Sequence, residues 1–154
     1  MRTIAVLALC LMALLTTRCH NPNKGALSEE SRTELDRFVD THASLEKKYW
    51  MLADKMAQAL EEAAAIPDNA GAMDHLRRFA SDNDYAIELI STEFDGWQRH
   101  VNDDDLMHFT ITLYQQRSGK KLRTLHPAFE RRISVDPALH KEYLEWIGVM
   151  KLVR

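Results

Sequence analysis

The sequence predicts an all-α fold, a helical bundle built on a long antiparallel helical hairpin with two further main helices. Three observations predict it. Apolar positions from Leu35 onward recur in alternating steps of three and four, and the same spacing returns after one short interruption. No stretch alternates apolar and polar residues as a half-buried strand does.

The first arm carries Leu35, Phe38, His42, Leu45, Tyr49, Leu52, Met56, Ala59 and Ala63 on one seam, a repeat of 3.5 residues that predicts a helix over 28–65. Ser28 and Ser31 are available N-caps, Ser31 with Glu34 at capping-box spacing. Ile66, Pro67 and Asp68 end the arm, because the residue before a proline is pushed out of the helical region. The second arm carries Met73, Leu76, Ala80, Asn83, Ile87, Ile90, Phe94, Trp97 and Val101, with Gly96 weakening it without ending it. Two amphipathic arms joined by a few residues cover each other's apolar stripes by folding back as a hairpin. Pairing about the turn sets Asn83 near Tyr49 and His42 near Ile90. Next, Asn102 with Asp103, Asp104 and Asp105 offers a turn and an N-cap, with Asp103 as the expected cap and acids where the helix dipole favours them. Leu106, Phe109, Thr110, Leu113 and Tyr114 follow at helical spacing, and Ser118 and Gly119 are expected to stop that helix. A short piece over 127–133 comes next. Asp136 then caps a last helix to about residue 153, with Pro137 at its first position.

At the N-terminus, Arg2 precedes twelve apolar residues over 4–15, IAVLALCLMALL. That is the length of a secretory h-region. A bilayer core of about 30 Å needs on the order of 20 apolar residues in a helix, so the run is short for a span. Thr16, Thr17, Arg18 and Cys19 follow. Around Cys19 the segment resembles the signal of bacterial lipoproteins, in which a leucine and small residues precede a cysteine that receives diacylglycerol. Leu15 stands one position further from the cysteine than in that signal, and Arg18 takes a place usually held by a small residue. The resemblance covers residues 1–19 and implies an export segment with Cys19 as the lipidation site. Ordinary cleavage just after Cys19, with Thr17 and Cys19 at the small-residue positions, is the alternative. Residues 20–27 (HNPNKGAL) have the composition of a flexible tether, and 28–154 are left as a single α-helical domain.

Of 20 basic and 23 acidic residues, Arg2 and Arg18 fall in the export segment, so 18 against 23 remain and leave the rest at a net charge of −5. Nucleic-acid binding is not suggested by that balance. Both cysteines, Cys10 and Cys19, also fall in the export segment, so the domain closes no disulfide of its own and relies on packing.

The densest polar cluster is HVNDDDLMH. His100, Asp104 and His108 are weak candidates for metal ligands, with His42 or His75 as further donors, since Asp104 and His108 share a helix face at four residues' spacing. An acidic helix start is also what capping alone selects. The chain has no Glu-x-x-His for a di-iron bundle, no Cys-x-x-Cys-His for covalent haem and no Gly-x-Ser-x-Gly elbow. Its five glycines form no phosphate-binding loop. His42 and Asn83, polar groups on apolar seams, read as register-fixing residues. Between Arg117 and Arg132 six basic residues meet one acid, Glu130, a local excess suited to anionic headgroups or an acidic partner, or to a solvated face paired with the acidic hairpin.

The expected role is therefore binding or scaffolding at the bacterial cell envelope without enzymatic chemistry, with the membrane as a partner through a lipid on Cys19 and an envelope protein as a second partner. No cofactor is expected. A metal- or cofactor-binding bundle and a periplasmic inhibitor or immunity protein are the alternatives.

Overall fold

A computed structural model of the chain describes residues 32–150, which form seven helices joined by short links, with no strand among them. In order they are α1 Glu34–Val39, α2 Leu45–Ala65, α3 Asn69–Asp82, α4 Asp84–Gln98, α5 Asp103–Gln115, α6 Arg117–Ile133 and α7 Pro137–Ile147. Cys19, the export segment, the tether and the expected caps Ser28 and Ser31 lie outside the described residues. The last helix stops short of the expected 153, at Ile147, where Gly148 caps it by donating its N–H to Leu144 O.

The first predicted arm is two helices. α1 begins at Thr33, whose hydroxyl accepts from Asp36 N while the Asp36 carboxylate accepts from Thr33 N, a closed capping box. It ends after six residues at Asp40, and the chain runs through Thr41 and an exposed His42 to Ser44, which caps α2. His42 therefore lies on a link instead of in the seam. α2 is the central helix: it packs against α3, α6, α4 and α1, and buries Tyr49, Leu52, Met56, Ala59 and Ala63 of the predicted stripe.

The second predicted arm divides at Asn83, which is buried. Its side-chain amide donates to Phe79 O at 2.8 Å at the end of α3, so it gives α4 no cap of its own. The cap comes from elsewhere in the chain. Asp36 of α1, 1% exposed, accepts from Ala86 N in the first turn of α4 at 3.2 Å. One carboxylate thus satisfies orphan donors at two helix starts 50 residues apart.

α5 starts one residue earlier than expected. Asn102 is its cap, accepting from Asp105 N at 2.8 Å, and Asp103 is the first helical residue. Ser118 and Gly119 do not stop α5. That helix ends at the extended Gln116, and both residues belong to the buried first turn of α6. A Cβ on Gly119 would stand 2.1 Å from Leu113 O, so the absence of a side chain lets the two helices turn a tight corner. α6 also absorbs the short piece expected over 127–133, with Pro127 inside the helix at the cost of one hydrogen bond to Arg123 O. Asp136 caps α7 as the sequence predicts, accepting from Ala138 N and Leu139 N, with Pro137 first in the helix.

Two aromatic groups link helices across the core. Tyr49, Phe94, Trp97 and Phe109 join α2, α4 and α5, with Tyr49 4.9 Å from Phe94 between ring centroids. Phe79, Phe129, Tyr143 and Trp146 join α3, α6 and α7. No described helix is long and apolar enough to cross a membrane.

Candidate functional site

The acidic turn is the first place to look for chemistry. Asn102 spends its side chain on Asp105, accepting from the amide and donating to the carboxylate at 2.9 Å. Asp103 and Asp104 occupy the exposed first turn of α5, and His100 and His108 are exposed on either side of it. Of the further donors, His75 reaches across to α2 and lies 3.1 Å from Glu62, and His42 is on the α1–α2 link. Among the described residues no three His, Cys, Asp or Glu side chains converge on a point where a metal ion would sit.

A denser polar cluster forms between α6 and α7. Tyr143 is fully buried, and its hydroxyl lies 2.8 Å from His126 Nδ1. Glu130 sits between two imidazoles, 3.2 Å from His140 Nε2 and 3.7 Å from His126 Nε2. Burial, with the Glu130 charge adding to it, pushes the Tyr143 hydroxyl well above the usual tyrosine value, so it is a neutral donor or acceptor at any physiological pH. These four groups knit α6 to α7. Sequence reasoning missed them, although His126 and Glu130 stand four apart on one helix; the other two come from beyond the Asp136 turn.

The basic segment divides into groups with structural tasks and groups without them. Arg132 closes the far end of α2, donating to the carbonyls of Ala64, Ile66 and Pro67 and to Asn69 Oδ1. This guanidinium is both a C-cap and a favourable charge at the negative end of the helix dipole. Lys121 pairs with Glu61 of α2 at 2.6 Å. Arg117, Lys120, Arg123 and Arg131 are exposed on the outer side of α6. No carboxylate oxygen comes within 4.0 Å of any of the four among the described residues. Arg123 lies over the Tyr114 ring of α5, 5.2 Å from its centroid.

Two open clefts flank the central helix. One, about 440 Å³, lies between α1, α2 and α3 and is crossed by the pairs Glu34–Lys55 and Glu62–His75. The other, about 600 Å³, runs between Glu61 of α2 and the basic side of α6, where Arg117, Lys120, Lys121 and Thr124 form its wall. Neither brings a nucleophile to a base. No family model matches the chain, and neither does any curated protein or solved structure.

Proposed function

We propose that the chain is exported and held at the bacterial cell envelope by a lipid on Cys19, and that its helical domain serves there as a non-enzymatic binding or scaffolding module. The observation that carries the proposal is the order of chemistry at the N-terminus: a positive charge at Arg2, an apolar run of secretory length over 4–15, a cysteine at position 19 and a polar, proline- and glycine-bearing spacer over 20–27. A lipid-bearing cysteine needs such a spacer to let a folded domain clear the headgroups.

The antiparallel hairpin is part of this reading, as a four-helix version of the predicted two arms. Its support is that α2 lies against α3 and α4, while α1 lies against α4. The acidic surface fits an envelope protein partner, whose identity the fold does not specify.

Fractionation of cells expressing the full chain tests the anchor. The unaltered protein is expected with the membranes and extractable by detergent, and Cys19→Ser is expected in a soluble exported fraction. Equal membrane association of both forms would show that Cys19 carries no anchor, and recovery of both from the cytosol would remove export as well.

A further inference from the structure

We infer that the outer face of α6, together with the exposed ridge of α5 beside it, is a docking surface for an anionic lipid bilayer. Arg117, Lys120, Arg123 and Arg131 recur at helical spacing with Thr124, Pro127 and Ala128 between them, all exposed. The acids at the edges of that stripe are engaged elsewhere, Glu130 with His126 and His140 and Glu61 of α2 with Lys121. On α5, Met107 is 60% exposed and Ile111 48% exposed, one turn apart, and Tyr114 continues the same side of the helix. The two features meet where the Arg123 guanidinium covers the Tyr114 ring. The acidic first turn of α5, Asp103 to Asp105, bounds the ridge at its far end and limits the contact to the part of α5 beyond it.

The combination selects the partner. A bilayer interface takes apolar side chains at the acyl boundary and basic side chains among the headgroups within the width of one helix. A nucleic-acid backbone has no use for an exposed methionine and isoleucine, and the chain as a whole is net negative. The inference deepens the anchored reading. Residues 20–31 reach at most about 43 Å even fully extended, so a domain tethered at Cys19 stays close to lipid headgroups and meets them at high effective concentration.

The test uses the full chain carrying Cys10→Ser, Cys19→Ser and Ile111→Cys, with a polarity-sensitive fluorophore on the introduced thiol. It is titrated with vesicles of phosphatidylcholine alone or of phosphatidylcholine with phosphatidylglycerol. The expected result is a blue shift with the anionic vesicles only, reversed by added salt. Lys120→Glu with Arg123→Glu, both exposed and so compatible with folding, should weaken the response about tenfold or more. Circular dichroism confirms that the charge-reversed chain keeps its helices. An equal shift on neutral vesicles, or an undiminished shift in the charge-reversed chain, would overturn the inference. No shift on either vesicle would also overturn it. Because the variant lacks Cys19, its failure leaves the lipid anchor standing, and failure of the anchor leaves this surface standing.

Discussion

Asn102 decides where α5 begins, and it does so with an uncharged side chain. Replacing it with Ala should cost about 0.5 to 2 kcal/mol in urea unfolding, and with Asp or Ser much less, because those residues cap about as well. Asp103→Ala should cost less than Asn102→Ala, since Asp103 contributes only its charge near the dipole; the reverse order would return the cap to Asp103. Asp36 is the more consequential carboxylate, because it serves two helix starts from a buried position. Nothing local in the sequence sets Thr33 with Asp36 above Ser31 with Glu34, since both have the capping-box spacing. The preference becomes visible only through the partner at Ala86. A pH dependence belongs to Glu142, whose carboxyl Arg77 holds below its ordinary value of 4.5, by hydrogen bonding first and by charge. Its folded value is depressed, so the stabilisation is present above pH 4.5 and is lost as pH falls through the folded value. Thermal melts across that range should show a flatter acid limb for Arg77→Met than for the unaltered protein. Superimposable profiles would show that the exposed pair contributes nothing.

The helices were legible as faces more than as lengths. All six seam positions of the first arm from Leu45 onward are buried or half-buried, as are all nine of the second. The breaks at 40–44 and at Asn83 were not legible, because α2 and α4 resume the 3.5-residue repeat in phase and the seam passes over the interruption. Gly119 misled for a different reason. A serine and glycine after an apolar stripe have the composition of a helix stop, whereas the glycine is required by the approach of Leu113 O. Paired substitutions separate these meanings of glycine within one protein. Gly96 has nothing within 4 Å of an added Cβ, so Gly96→Ala should stabilise by up to about 1 kcal/mol through helix propensity. Gly119→Ala should instead destabilise by more than that gain, since the corner between α5 and α6 must open; equal effects in urea unfolding would refute the corner. Pro127 shows the same limit on local reading, because the burial of Leu122, Phe129 and Ile133 holds one helix through a residue that would end an isolated one.

At the scale of the whole molecule, α2 is the shared wall on which α1, α3, α4 and α6 rest, with α5 on α6 and α7 on α3 and α6, and Ile90 of α4 is fully buried. Ile90→Ala should therefore cost about 2 to 5 kcal/mol, and Leu45→Ala, half-buried at the start of α2, distinctly less. A loss below half of one kcal/mol at Ile90 would take α4 out of the core. The candidate site was less legible than the fold. The HVNDDDLMH cluster gathers polar residues in sequence, but in space Asn102 and Asp105 satisfy each other and both histidines are exposed. The basic stripe was visible as composition, yet only folding separates Arg132 and Lys121, which bind α2, from the four cations left on the outside. The central claim concerns where this molecule is held, and the mass of its N-terminal peptide, taken from protein purified out of the native envelope, tests it most directly. The account predicts a chain beginning at Cys19 and carrying the added mass of a diacylglycerol. A chain beginning at His20 would contradict the anchor, and an intact Met1 in cytosolic protein would contradict export itself.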